Sequence, residues 1–250
     1  MGHYYEYETI DSTNDEAKRL IAASRTPADI PFGTVIVADE QTAGRGRFGR
    51  VFASPAADSV YMSFILRPVG AAGDTPLVTV MAAVAVCEAI EAIAGGQPRI
   101  KWVNDIYSNE KKVCGILAEG VSASGSGAID GIALGIGVNI NVPQDGFPEE
   151  IRAIAGAVDM DPRDRRRFVA ELIARVNARY DELSRGISPI GAYRERSLVI
   201  GKEIAVIRAD GTEARAVAEG VADDGSLLAR YADGRSEFLH SGEISLKIKK

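Results

Sequence analysis

The chain has 250 residues, 46% of them hydrophobic and 26% charged, with a formal net charge of −6. These are values of an ordinary globular chain of one or two domains, and the acidic balance argues against a general affinity for nucleic acid. No apolar run has the basic start of a secretion signal or the purity of a membrane span, and Cys87 and Cys114 give neither a disulfide framework nor zinc spacing, so they read as core thiols of a reducing cytoplasm.

In chain order, residues 3–10 carry strand-type residues, and Ser12-Thr13-Asn14 then offers three good N-cap residues to a helix beginning near Asp15. A loop with Gly, Pro and Asp precedes the apolar strand 34–38. Directly after it, residues 41–50 read Gln-Thr-Ala-Gly-Arg-Gly-Arg-Phe-Gly-Arg, with Arg45, Arg47 and Arg50 alternating with Gly44, Gly46 and Gly49. Glycine lets a ligand approach the backbone closely, and arginine offers a planar fork of donors to carboxylate or phosphate oxygens. The loop reads as a cradle for an anionic ligand, with a solvated basic loop and an Arg-Gly nucleic-acid segment as the competing readings. It fits neither a P-loop nor a dinucleotide fingerprint.

Residues 59–66 alternate as a strand, and 77–94 form a long apolar helix whose Glu88 and Glu91 mark it as buried rather than membrane-spanning. Residues 99–107 read as one strand interrupted by Asn104-Asp105, followed by strands at 111–119 and 129–141. Strands joined by turns rather than helices argue for an α+β fold and against a doubly wound parallel sheet. Phe147-Pro148-Glu149-Glu150 opens a short helix. Asp161-Pro162 caps a longer one reaching about Arg185, with the arginines at 163 and 165–167 on a solvated face. From Gly201 onward, Asp210-Gly211, Asp224-Gly225 and Asp233-Gly234 each signal a hairpin. A small β domain therefore begins near residue 199.

The unusual polar residues are Ser12, Thr13, Asn14, Gln41, Arg45, Arg47, Arg50, Lys101, Asn104, Asp105, Lys112 and Asn139. Cations and amides dominate this set, while the two histidines, His3 and His240, lie apart from it. That argues against Ser-His-Asp chemistry and a histidine metal site, and for phosphoryl or nucleotidyl transfer, where positioning and charge neutralisation supply most of the catalysis.

Ser12-Thr13-Asn14, Gln41-x-x-Gly44-Arg45-Gly46-Arg47-x-Gly49-Arg50, Lys101-Trp102-x-Asn104-Asp105, Lys112-Val113-x-Gly115-Ile116-Leu117, Gly137-x-Asn139 and Gly242-Glu243-Ile244-Ser245-Leu246 occur in one order along the chain. This ordered set resembles biotin protein ligase, also called biotin–acetyl-CoA-carboxylase ligase, over essentially the whole sequence. The resemblance implies an α+β catalytic domain at 1–198, with a mixed, largely antiparallel sheet, and a C-terminal SH3-like β-barrel at 199–250. It implies biotin and ATP as substrates with Mg²⁺, formation of biotinyl-5′-AMP, and transfer to a lysine of a biotin carboxyl carrier domain. No DNA, no membrane, a cytoplasmic location and a homodimer belong to the same expectation.

By resemblance, Ser12, Thr13, Asn14 and Gln41 form the biotin-head pocket, whose ureido ring suits hydroxyl and amide partners. Arg45, Gly46 and Arg47 close over biotin and the adenylate phosphate, and Lys112 touches the biotin carboxylate and α-phosphate. Lys101, Asn104 and Asp105 serve nucleotide, magnesium and the acceptor lysine, and Asn139 contacts the nucleotide; Lys112, Arg47, Lys101 and Asp105 are the catalytic set. Arg50 and Phe52 join the ATP site, with Phe52 standing where many relatives have Trp and stacking on adenine with less area. Ser12 stands eleven residues from the start, which points to a ligase-only member without a winged-helix domain. Every pocket residue in this set precedes Asn141, so residues 201–250 are expected to serve ATP closure or the second half-reaction. A lipoate or octanoate ligase of related fold is the rival enzyme, and a non-catalytic nucleotide- or RNA-binding module the rival from another class.

Overall fold

The computed structural model describes residues 2–24, 26–49, 59–69, 75–122, 128–208 and 210–246. Arg50 and Phe52 lie outside the described residues. Seven strands form the first sheet: β1 (Tyr4–Ile10), β2 (Val35–Gln41), β3 (Ser59–Leu66), β4 (Arg99–Lys101), β5 (Asp105–Ser108), β6 (Lys111–Val121) and β7 (Gly131–Asn139). Their spatial order is β1-β2-β3-β7-β6-β5-β4, with β1 and β2 parallel and every other pair antiparallel. The sheet is mixed and largely antiparallel, in an α+β arrangement.

Alternation decides what each face holds. In β3, Val60, Met62, Phe64 and Leu66 enter the main core, whereas Ser59, Tyr61, Ser63 and Ile65 alternate with them. In β7, Ile132, Leu134, Ile136 and Val138 are the core set, and Gly131, Ala133, Gly135, Gly137 and Asn139 occupy the opposite face. The large side chains pack on α2 (Thr75–Ile93), which α4 (Arg165–Ser184) backs on its far side. On the small-residue face lies α1 (Thr13–Ala22), whose Ala17 and Ile21 join Ile36, Ile65 and Ala133 in a second apolar cluster. Helices thus cover both faces, and the glycine-rich face leaves open space beyond the start of α1.

Among the described residues, α2 is the one helix long and apolar enough by composition to cross a membrane. Residues 78–87 are buried apart from a small residual exposure at Thr79, packed between the sheet and α4, so α2 is the core helix that Glu88 and Glu91 suggested. Those carboxylates pair with Arg179 and Arg196.

Two expectations are corrected here, and one element was not anticipated. Residues 99–107 are not one interrupted strand but the β4–β5 hairpin, with Lys101 opposite Asp105 and a turn at Trp102–Asn104. Arg165 does not belong to a solvated face, because its guanidinium pairs with Asp39 at the end of β2. The helix α5 (Ile190–Arg196), on which Ile190 and Tyr193 are buried, had no sequence signal strong enough to stand out from its neighbours. A short helix α3 (Glu149–Arg152) forms where the Pro-Glu-Glu start predicted it.

The C-terminal strands β8 (Glu203–Ile207), β9 (Glu213–Val221), β10 (Leu227–Tyr231), β11 (Ser236–Leu239) and β12 (Glu243–Leu246) form a separate antiparallel sheet ordered β11-β10-β9-β8-β12. All three Asp-Gly pairs sit in its tight turns, with positive φ at Gly211, Gly225 and Gly234. Each aspartate also accepts a hydrogen bond from the backbone N–H two residues on, which is why Asp precedes Gly there.

Candidate active site

A cavity of about 240 Å³ opens over the glycine-rich face beside the start of α1. Thr13, Asn14, Gln41, Arg45, Gly46, Arg47, Lys101, Asn104, Asp105, Lys112 and Asn139 all line it. They come from five separate stretches of the chain. Ser12 does not line it; its hydroxyl accepts from the Asp15 N–H at 3.3 Å and caps α1.

The polar end of the cavity is a closed hydrogen-bond set. Gln41 Oε1 accepts from the Thr13 backbone N–H at 2.8 Å and from the Thr13 hydroxyl at 3.1 Å. The Ser63 hydroxyl lies 2.8 Å from Thr13 Oγ1 and 3.1 Å from Asn14 Oδ1. Thr13, Asn14 and Ser63 are all buried. Each buried polar atom left without a partner would cost roughly 1–3 kcal/mol, so a pocket floor of this kind must be fully connected before a ligand arrives.

At the other end, the β4–β5 hairpin and the start of β6 gather charge. Lys112 Nζ lies 2.6 Å from Asp105 Oδ1. Gly115 stands opposite Asp105, and an irregularity follows at Ile106/Tyr107 before Tyr107 pairs with Lys112. This register lets both side chains reach the same space. Asn104 shapes the turn, its Nδ2 donating to the Ile116 carbonyl at 2.8 Å, while its Oδ1 accepts from Arg47 Nη1 at 3.3 Å.

The glycine–arginine loop is tied at its entry by the Thr42 and Ala43 N–H groups, which donate to the carbonyls of Ile10 and Asp11. Arg45 Nε then pairs with Asp15 at 3.1 Å. Arg47 also reaches the Gly242 carbonyl at 3.5 Å. Burial pulls the Arg47 guanidinium below its ordinary pKa, opposed by the negative charges of Asp105 and Glu243; arginine stays charged nonetheless. Asn139 donates to the Gly156 carbonyl at 2.9 Å and so joins the cavity wall to the segment after β7.

Several lining residues were not anticipated. Phe147, Ile151, Ile154 and Ala155 supply an apolar wall, and Gly242, Glu243 and Ile244 bring the C-terminal sheet to the cavity. The expectation that every pocket residue precedes Asn141 is therefore wrong: two later segments close the space. Tyr61 also lines the cavity, and Ser63, behind the lining, holds Thr13 and Asn14; the local signal for both was a hydroxyl inside the apolar run Val60 to Leu66. Trp102 lines the cavity but is 5% exposed, its indole N–H donating to the Gly225 carbonyl at 2.9 Å. It is principally a packing residue.

Residues 7–139, more than half of the chain, match the Biotin/lipoate A/B protein ligase family. The chain belongs to that family. Residues 199–247 match the Biotin protein ligase C terminal domain. The chain is 36% identical over 251 aligned residues to the bifunctional ligase/repressor BirA of Bacillus spizizenii, covering 98% of this chain and 75% of that protein. It is 34% identical to a biotin–[acetyl-CoA-carboxylase] ligase of Paracoccus denitrificans, covering 90% and 93% of the two chains. The solved structure of the Aquifex aeolicus biotin protein ligase in complex with biotin and ATP matches over 100% of both chains, with a TM-score of 0.79 and 26% identity. The mixed sheet and the C-terminal sheet thus have their counterpart in a biotin protein ligase.

Proposed function

We propose that this protein is an ATP-dependent biotin–protein ligase. It joins biotin to ATP as biotinyl-5′-AMP and then passes the biotinyl group to a lysine of a biotin carboxyl carrier domain. One arrangement carries the reading: a closed floor of hydroxyls and amides and a cationic end built around Lys112 share one cavity. Biotin has the same polarity, with a ureido ring at one end and a carboxylate at the other.

In the first step a biotin carboxylate oxygen attacks the α-phosphorus, the bond to the β-phosphate oxygen breaks, and pyrophosphate leaves. No base is required, since the nucleophile is already ionised. The obstacle is repulsion between two anions, which Lys112, Arg47, Arg45 and Lys101 can neutralise. In the second step the carrier lysine attacks the acyl carbon and AMP leaves; Asp105, beside Lys112, can take the proton that the amine sheds. Asp105 and Glu243 are carboxylates of the cavity lining, and no cluster of three ligating side chains occurs among the described residues. That donor set fits Mg²⁺ carried mainly by substrate phosphates, where one or two carboxylates suffice. The ion would supply further charge neutralisation at the phosphates.

We divide the chain into a catalytic domain at 1–198 and a C-terminal domain at 199–250, the latter contributing one wall of the site. The two cysteines, buried and unpaired, suit a reducing compartment such as the cytoplasm. The lipoate reading is weaker, because an apolar head offers the amides and hydroxyls of the floor no donor or acceptor, whereas a ureido ring offers both. Pyrophosphate exchange into ATP decides between them. Exchange driven by biotin and not by lipoate is expected; exchange with lipoate alone would overturn the assignment.

A further inference from the structure

The cavity floor is not an isolated set of hydroxyls. Asn14 Nδ2 donates to Glu119 Oε2 at 2.6 Å, and Glu119 lies on β6, 105 residues away in sequence. Glu119 does not line the cavity, whereas Asn14 does. Lys18, one turn along α1 from Asn14, holds the same carboxylate, its Nζ lying 3.1 Å from Oε1 and 3.2 Å from Oε2. Lys18 is itself held by Asp15 at 2.8 Å. The Glu119 side chain is 31% exposed and Lys18 27%, so the pair is shielded more than a surface ion pair and screened less.

The chemistry of the partners fixes a direction. An ionised carboxylate only accepts, so the Asn14 amide must turn its NH₂ toward Glu119 and its oxygen toward Ser63. The Ser63 hydroxyl has one hydrogen to share between Asn14 Oδ1 and Thr13 Oγ1. Thr13 spends its own hydrogen on Gln41. The sense of the Asn14 amide, and so the acceptor it turns to Ser63, therefore follows from one acceptor-only group behind the floor. The sheet makes room for this orientation: a Cβ on Gly135 would stand 2.8 Å from Asn14 Oδ1, closer than real side chains come. A glycine there keeps the amide oxygen where Ser63 can reach it.

We propose that Glu119 is a positioning residue: its carboxylate, anchored by Lys18, fixes the sense of the Asn14 amide and with it the donor and acceptor pattern that the cavity floor offers to the biotin head. This rests on the biotin reading above. Gln at 119 would keep the shape but replace two acceptor oxygens with one oxygen and an NH₂. Lys18 and Asn14 would then compete for a single acceptor, and the amide would no longer have one preferred sense.

The test uses the full chain, with biotin binding by titration calorimetry and ATP KM from pyrophosphate exchange at saturating biotin. Glu119→Gln should bind biotin about tenfold more weakly or worse, the scale of one charge-assisted hydrogen bond, with the KM for ATP within about twofold. Glu119→Asp keeps the acceptor-only chemistry and should recover part of the loss. Lys18→Met leaves the carboxylate on Asn14 and should cost less than Glu119→Gln. Equal biotin affinity in Glu119→Gln and wild type would overturn the proposal. So would a Lys18→Met loss exceeding that of Glu119→Gln, which would make the ion pair the operative feature, or a parallel loss of ATP and biotin binding. Wild-type protein that binds no biotin would overturn the functional reading and this proposal together, whereas wild-type binding with an unaffected Glu119→Gln overturns this proposal alone.

Discussion

Lys112 and Asp105 face each other across the β5–β6 pairing at 2.6 Å, each partly shielded and each lining the same cavity. An ammonium held this way is already partly desolvated and fixed before an anion enters, so little reorganisation remains for the reaction itself. Lys112→Ala should abolish adenylate formation while leaving the fold intact. The loss should reach at least about 2–4 kcal/mol of transition-state stabilisation, roughly a hundredfold or more in exchange rate. Near-normal exchange in a folded mutant would remove Lys112 from the mechanism.

Arg47 is already engaged with Asn104 and with the Gly242 carbonyl. It bridges the glycine-rich loop to the hairpin and to the C-terminal sheet at once. Arg47→Gly would cut both bridges and add backbone freedom at the same point. Release of adenylate should accelerate more than its synthesis slows, and the mutant should biotinylate bystander lysines. Stopped-flow dissociation and labelling of an added protein measure this. Unchanged release without bystander labelling would show that Arg47 does not hold the intermediate.

Burial pushes the Cys87 thiol up to about 12, against about 8.5 in an unfolded chain. The folded value is the higher one, so stability from this group is complete below pH 8.5. It is lost as pH climbs toward 12, because the unfolded thiol sheds its proton first. Between pH 8.5 and 10 the loss should be on the order of 1–2 kcal/mol. Urea midpoints across that range should fall for wild type and fall less for Cys87→Ala. Equal slopes would mean that Cys87 contributes nothing to the alkaline decline. Native protein at pH 8 should also resist alkylation at Cys87 and at Cys114, whose thiol burial likewise raises.

Features carried by neighbouring residues were legible in the sequence. The three Asp-Gly turns, the cap at Ser12 and the glycine–arginine loop directly after β2 all rest on local chemistry, and each stands where the spacing put it. Strand existence was equally clear, because β3 and β7 alternate cleanly. What the chain could not declare was register. Whether Asn14 meets Glu119 depends on α1 lying across β3 and β7 and on β6 pairing with Gly135 opposite Leu117. The hairpin at Lys101–Asp105 looked like one strand, since Asn-Asp breaks a run without saying which way the chain goes next. The C-terminal wall of the site was hidden for the same reason: a single carboxylate, Glu243, between Gly242 and Ile244 says nothing of a cavity until the second sheet sets it there.

The indole of Trp102 is held by a carbonyl in the Asp224-Gly225 turn, and Trp102 sits between Lys101 and Asn104 in the turn that carries them. The β4–β5 hairpin thus has one of its struts in a different sheet. Damage to that sheet is transmitted to the chemistry without touching a reacting group. Temperature-sensitive alleles of this enzyme are therefore to be sought around residues 221–227, where a loosened turn would release Trp102 on warming and restore it on cooling. Such alleles would fail to biotinylate at the high temperature and recover at the low one, although every residue that meets substrate is intact.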